Sequence, residues 1–257
     1  MIPKIIHYCW LSDDDIPEKL LDCMKSWKKV LPDYDFILWN RKNFDVNGNI
    51  WTKQAFESKK YAFAADFIRL YAVYTYGGIY LDMDVEVKKD FLPFLDGKLM
   101  LGFENPEKVG IEAGCFGAEK KSAFIKKCLD YYEGRKFIKE DGTFDTEVLP
   151  KIMKSFLTEN ELGNVVDYDY FTAKSFLTGK IIETERTFAV HNFAGSWNTK
   201  REQTYYKTRQ RLCNRLGIKT GLVLSFPSFL IWQLCDFGIK IFMQRVIRRL
   251  RVGGKFR

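Results

Sequence analysis

The sequence predicts an α/β fold, and three observations predict it. Short apolar strand segments alternate with segments of helical spacing along most of the chain, the pattern that stacks helices on a sheet. Turn residues punctuate the joins, as at Pro32-Asp33, Asn47-Gly48 and Gly77-Gly78. Hydrophobic residues make up 46% of the 257 positions, enough to bury the core of one large domain.

The elements follow in order. Residues 5–10 read as a first strand. From 17 to 30, Leu20, Leu21, Met24 and Trp27 recur at helical spacing. Residues 34–39 alternate as a second strand. Residues 53–76 predict helix in two pieces, favoured by Ala62, Ala64 and Ala65, and Gly77-Gly78 stops it. Residues 79–87 then read as one strand. Ile79, Leu81, Met83, Val85 and Val87 share one face, while Tyr80, Asp82, Asp84 and Glu86 share the other. Strands are expected at 99–103, 113–118, 180–183 and 188–191. Helices are expected at 123–132, at 148–156 with Pro150 in the first turn, and at 205–216.

Charge narrows the function classes. The formal net charge is +8, but Lys240, Arg245, Arg248, Arg249, Arg251, Lys255 and Arg257 fall in a final stretch with no acid, leaving the first 239 residues near +1. A nearly neutral body is a poor wrapper of DNA or RNA, so nucleic acid is not an expected partner. The six cysteines form no CxxC pair, which argues against a zinc knuckle and for reduced thiols in a cytoplasmic protein. No secretory leader is expected from the first residues, and no spanning helix from any uncharged apolar run.

The chemistry centres on Asp82-x-Asp84. On a strand these carboxylates share a face and can reach one divalent cation, directly or through water and a diphosphate; oxygen ligands suit Mg²⁺ or Mn²⁺. Glu86 extends the face and is expected behind the ligands. Alone, Asp-x-Asp is also an ordinary surface pattern; acids closing a buried strand, by contrast, are costly unless paired or metal-bound. No EF-hand spacing follows. Asp66 and Arg69 share a face of the preceding helix among apolar neighbours. They can form a structural ion pair, or meet a ligand, or do both. The two histidines end apolar segments: His7 precedes Trp10, and His191 precedes the Gly195-Ser196-Trp197 loop. Each fits a structural role, and His191 also fits a third cation ligand, with Trp197 closing over the site. Glu112, between Gly110 and Gly114, is a candidate acid on the acceptor side, or an ordinary loop acid.

Together the pieces Ile2-Pro3-Lys4-Ile5-Ile6-His7-x-x-Trp10, Ala65-Asp66-x-x-Arg69 with Gly77-Gly78-Ile79-Tyr80-Leu81-Asp82-x-Asp84, and His191-Asn192-x-x-x-Ser196-Trp197 resemble the bacterial and fungal glycosyltransferases with a DXD sugar-binding region. Capsular polysaccharide synthesis proteins and the α-mannosyltransferase-like family belong to that group. The resemblance implies a GT-A-like, Rossmann-like fold with a central, mainly parallel mixed sheet. It implies a retaining transferase moving a hexose or N-acetylhexosamine from a nucleotide-sugar, UDP favoured over GDP, to a glycan or lipid-linked glycan of the capsule or lipopolysaccharide kind. It implies a divalent cation, Mn²⁺ ahead of Mg²⁺, held by Asp82, Asp84 and His191. The donor site would use Ile6, His7, Trp10, Asp66, Arg69, Gly78, Tyr80, Asp82 and Trp197, with Asp66, Arg69, Asp82 and Asp84 at the chemistry.

The C-terminal stretch reads separately, giving residues 1–221 as the catalytic domain and 222–257 as a basic amphipathic tail. A broad apolar face with Lys240, Arg245, Arg248, Arg249 and Arg251 along its polar side suits an anionic membrane surface, placing the protein peripherally on the cytoplasmic face. A terminal helix packed on the domain would carry the same pattern. Two rival functions remain: a metal-dependent nucleotidyl- or phosphotransferase, which shares the acid pair, and a non-enzymatic carbohydrate-binding protein, which would explain the aromatics.

Overall fold

A computed structural model describes residues 1–195 and 198–251, and only the backbone at 237, 240, 241 and 244–251. The chain forms two compact units, one of Met1–Lys174 with Ile181–Ala194, the other of Ser175–Lys180 with Gly195–Arg257.

In the larger unit the strands are β1 (Ile5–Cys9), β2 (Asp35–Trp39), β3 (Gly78–Leu81), β4 (Val85–Val87), β5 (Leu99–Met100), β6 (Cys115–Ala118) and β7 (Ala189–His191). Five of them make a sheet in the order β2-β1-β3-β6-β5, and β4 pairs with β7 alone. β1 runs parallel to both β2 and β3; β6 is antiparallel to β3 and β5, so the α/β sheet is mixed.

Helices cover both faces. α1 (Glu18–Val30) buries Leu20, Cys23 and Trp27, residues spaced by three and four. Its Trp27 Nε1 donates to the Val85 carbonyl at 2.7 Å, fastening α1 to β4. α2 (Ile50–Glu57) starts at Asn49, whose side-chain oxygen accepts from the amides of Trp51 and Thr52. α3 (Tyr61–Tyr76) follows after Lys59, at φ 55°, separates the two helical pieces expected over 53–76. The shorter α4 (Leu92–Leu95), α5 (Ala123–Asp130), α6 (Leu149–Ser155) and α7 (Glu159–Gly163) complete this unit. One buried cluster packs α2, α3, α5 and α6 against the sheet, and a second packs α1 and α4 against its other face.

The helix–strand junction that leads to the acids needs its glycines. Gly77 ends α3 at φ +73°, and Gly78 opens β3 at φ +106°. A Cβ on Gly78 would lie 2.6 Å from the Ile5 carbonyl oxygen, so β3 can approach β1 only without a side chain there.

Several sequence expectations are corrected. The strand predicted over 79–87 is two strands in two sheets. Its apolar row does hold, since Ile79, Leu81, Met83, Val85 and Val87 all enter one buried cluster. Between them the chain turns, with the Val85 amide bonded to the Asp82 carbonyl at 3.0 Å. Asp82 and Asp84 therefore sit in the turn where the chain leaves one sheet for the other. No strand forms at 180–183: Ile181 and Ile182 are exposed, leaving no buried face to hold one beyond the single Lys174–Ile181 bridge.

In the smaller unit α8 (Lys200–Leu216) packs on α9 (Ile218–Arg251). Tyr205 stacks on Trp232 with ring centroids 5.5 Å apart, and a Cβ on Gly221 would run into the Cys213 backbone. The predicted boundary at 221/222 falls inside α9, which is broken at Gly238. α9 also contains a stretch overlooked in the sequence: Ile218–Asp236, mean hydropathy 1.3, is long and apolar enough to cross a membrane. The side chains of Lys240, Arg245, Arg248, Arg249 and Arg251 lie outside the described residues.

Candidate active site

Asp82, Asp84 and His191 come together although more than a hundred positions separate the histidine from the two acids. The β4–β7 pairing sets His191 opposite Val85, one residue beyond Asp84. One ligand atom from each of the three lies within 4.8 Å of the others. The backbone is drawn in too: the Asn192 amide donates to the Asp84 carbonyl at 3.0 Å, and the Ala194 amide donates to Asp84 Oδ2 at 2.6 Å.

Arg69 organises the other side. Its Nη1 lies 3.2 Å from Asp82 Oδ2 and donates to the Ala113 carbonyl at 2.7 Å, and its Nη2 is 3.5 Å from Asp66 Oδ1. The guanidinium stands 4.6 Å from the centre of the Tyr80 ring, and the Tyr80 hydroxyl donates to Asp82 Oδ1 at 3.0 Å. The Asp66–Arg69 ion pair expected from the i,i+3 spacing is therefore real, but Arg69 is shared.

Burial pushes Asp66 up to about 7; Arg69 opposes this, and the Asp82 charge adds to it. Burial likewise raises Asp82, with Arg69 opposing it. Burial pushes Asp84 the same way, but His191 and the Ala194 amide outweigh it and leave the carboxyl below its usual range. Burial works against the His191 cation, yet Glu112 and Asp84 on either side hold it well above an ordinary histidine.

Donor groups of this kind fit a divalent cation: two carboxylates and an imidazole converge, and the backbone leaves room for them. A Cβ on Gly114 would lie 2.8 Å from His191 Cε1 and 2.9 Å from both Asp82 Oδ2 and Glu112 Oε1. Asp82 is tied to the same glycine, its amide donating to the Gly114 carbonyl at 2.7 Å.

Other predicted residues take different places. Glu112 is 1% exposed and faces His191, with both oxygens bonded inside the fold, so it does not open toward an acceptor. Ile6 and His7 are fully buried. Trp39 Nε1 donates to His7 Nδ1 at 3.2 Å, so His7 Nε2–H donates to the Gly77 carbonyl at 2.8 Å, and burial lowers the histidine's pKa. His7 thus ties β1 and β2 to the end of α3 and has no ring nitrogen left for a nucleotide. Gly78 and Tyr80 are buried as well and act through the backbone junction and through Asp82. Trp10 remains half-buried, its indole donating to the Asp14 carbonyl at 2.9 Å. Glu86 turns away to Lys88 at 2.9 Å, not toward the acids. Trp197, with Ser196, lies outside the described residues.

Three residues escaped the sequence. Thr172 is fully buried and bonded to Glu112. Glu104 is half-buried, and burial followed by repulsion from Glu112 raises it to about 7. Lys174 is half-buried with its ammonium on the Asn192 carbonyl at 2.6 Å; burial lowers its pKa, opposed by Asp84. None carries a local signal, since each reaches the site through loops distant in sequence. A surface concavity of about 650 Å³ between residues 41–47 and 56–57 involves none of the acid cluster.

Comparison with known proteins follows the same geography. Residues 17–101 match the family described as "Glycosyltransferase sugar-binding region containing DXD motif", a span that holds Asp66, Arg69, Asp82 and Asp84. Inositol phosphoceramide mannosyltransferase 3 of Schizosaccharomyces pombe is 34% identical over 128 residues, 48% of this chain and 35% of that protein. Mannosyl phosphorylinositol ceramide synthase SUR1 of Saccharomyces cerevisiae is 31% identical over 133 residues, 50% of this chain and 34% of that protein. The chain thus matches only about a third of these yeast relatives' length. Among solved structures, a glycosyltransferase involved in glycosylation of the PBCV-1 major capsid aligns over 74% of this chain and 94% of its own, at 15% identity and a TM-score of 0.48. Residues 17–101 of this chain are therefore similar to the DXD-containing sugar-binding region of the glycosyltransferases.

Proposed function

We propose that the chain is a GT-A-like, cation-dependent glycosyltransferase that takes a hexose from a nucleoside diphospho-sugar. The observation that carries this reading is the convergence of Asp82, Asp84 and His191 within 4.8 Å, around a glycine that leaves space for nothing larger than hydrogen. The shared Asp66–Arg69–Asp82 network lies directly beside it. Asp82, Asp84 and His191 would hold the cation; the imidazole nitrogen among oxygen ligands favours Mn²⁺ over Mg²⁺. A bound cation supplies charge neutralisation for a departing diphosphate.

The chain's own groups complete the site. Arg69, held by the Ala113 carbonyl and the Tyr80 ring, fixes Asp82 and adds a permanent positive charge. Asp66, poised near neutrality, can accept or donate hydrogen bonds to sugar hydroxyls. Lys174 adds a second cation near Asp84, suited to phosphate oxygens. Retention of anomeric configuration rests on the family resemblance, and the anomeric signal of the product by NMR tests it. The names of the yeast relatives bring mannose and an inositol-phosphate lipid into the screen beside UDP-hexoses and their N-acetyl forms.

The test is a screen of UDP- and GDP-sugars with Mn²⁺, reading both nucleoside diphosphate and glycosylated product. Asp84→Asn should lower turnover at least ~100-fold, the scale of losing one key charge-stabilising group. Nucleotide or phosphate appearing on the acceptor would favour the phosphotransferase reading instead. Sugar binding indifferent to EDTA and nucleotide would favour a binding protein.

We propose in addition that α9 lies on a membrane surface. Val223, Leu224, Phe226, Ile231 and Leu234 are exposed, while Trp232 is buried on α8. A helix with one face already held by protein is suited to lie along a bilayer, and the basic residues that follow suit anionic head groups.

A further inference from the structure

We propose that Glu112 is a positioning residue that selects which nitrogen of His191 faces the cation; this rests on the cation-dependent reading above. Glu112 Oε1 lies 2.9 Å from His191 Nδ1, and His191 Nε2 lies 3.4 Å from Asp84 Oδ1, on the ligand side. A carboxylate only accepts, so Glu112 keeps a hydrogen on Nδ1, and once a metal ion takes the place of the hydrogen that Nε2 directs at Asp84, it is the Nε2 lone pair that faces Asp82 and Asp84.

The carboxylate is itself held from every side. The Gly114 amide donates to Oε1 at 2.6 Å, and the Thr172 hydroxyl donates to Oε2 at 2.7 Å. Thr172 also grips the strand that bears the histidine, because its carbonyl accepts from the His191 amide at 3.0 Å. The Glu112 amide donates to the Gly102 carbonyl at 2.8 Å, which anchors the loop on the sheet side. Glu112 therefore cannot turn, and the imidazole it faces cannot flip without leaving Nδ1–H and a buried carboxylate unpaired. This is the opposite arrangement from His7, where Nδ1 accepts and Nε2 carries the hydrogen.

The chain has two histidines, so nitrogen NMR can read both rings without ambiguity. In ¹⁵N-histidine-labelled full chain loaded with diamagnetic Zn²⁺, His191 should show a protonated Nδ1 and a coordinating Nε2, and His7 the reverse tautomer. Mn²⁺ titration of the same protein by calorimetry should give an affinity that falls about 10- to 100-fold in Glu112→Gln. Thr172→Val, which removes only the hydroxyl behind Glu112, should weaken Mn²⁺ in the same direction. It carries the test if circular dichroism shows Glu112→Gln unfolded. Coordination through Nδ1, or Mn²⁺ affinity unchanged in the folded variants, overturns the proposal while the cation reading stands. Failure of the unaltered protein to bind Mn²⁺ overturns both.

Discussion

Replacing Asp66 by asparagine should stabilise the metal-free protein at high pH while damaging its function. In the folded chain burial raises Asp66 to about 7, against 3.8 for the free side chain. A carboxyl raised in this way is protonated in both states below pH ~4 and ionised in both above ~7. Between these limits only the unfolded chain has released the proton, so stability falls as pH rises through that window and stays low beyond it. At ~1.4 kcal/mol per pKa unit, a shift of about three units corresponds to a loss of up to ~4 kcal/mol. Asparagine keeps the shape and never ionises. Urea unfolding in EDTA should therefore show parity between Asp66→Asn and the unaltered chain near pH 4 and a gain of ~2–4 kcal/mol for the variant at pH 8. Asp82, Asp84 and His191 titrate in both proteins, so their contributions largely cancel in the difference. A variant no more stable at pH 8 than at pH 4, relative to the parent, would show that Arg69 fully compensates the buried charge and that burial does not dominate at Asp66. An accompanying loss of the proposed transferase activity would be an instance of stability given up at a functional site.

Two further outcomes follow from the geometry. Gly114→Ala drives a Cβ to within 2.8–2.9 Å of His191, Asp82 and Glu112, so it should cost ~1–3 kcal/mol of stability and weaken Mn²⁺ at least tenfold by calorimetry; normal binding would mean the cradle is not the cation's seat. Val223→Asp with Ile231→Asp places charge on exposed positions of α9 and should leave the melting curve unchanged while reducing sedimentation with anionic vesicles; undiminished binding would remove α9 from the membrane.

The local features of the chain reached a long way. Gly77-Gly78 marks the end of α3, and the row Ile79, Leu81, Met83, Val85 and Val87 enters one core as its alternation predicts. The spacing of Asp66 and Arg69 implies their contact. What misled was continuity. Alternation over 79–87 is the same whether the chain stays in one sheet or crosses to another, and the hydrogen-bonding partner of each strand is a remote segment, β6 for β3 and β7 for β4.

The histidines show the same division. Both stand at the end of an apolar segment, and nothing nearby in sequence separates a structural ring from a ligand. Trp39 and Gly77 claim the nitrogens of His7, and Glu112 faces one nitrogen of His191 and leaves the other toward Asp84. By itself the sequence determined which residues are apolar, where the backbone can turn, and that two acids stand two positions apart at a strand's exit. Only the tertiary structure decided what faces them, because hydrogen bonds and charges at 3 Å act between atoms brought together by packing, and chain distance does not enter that energy.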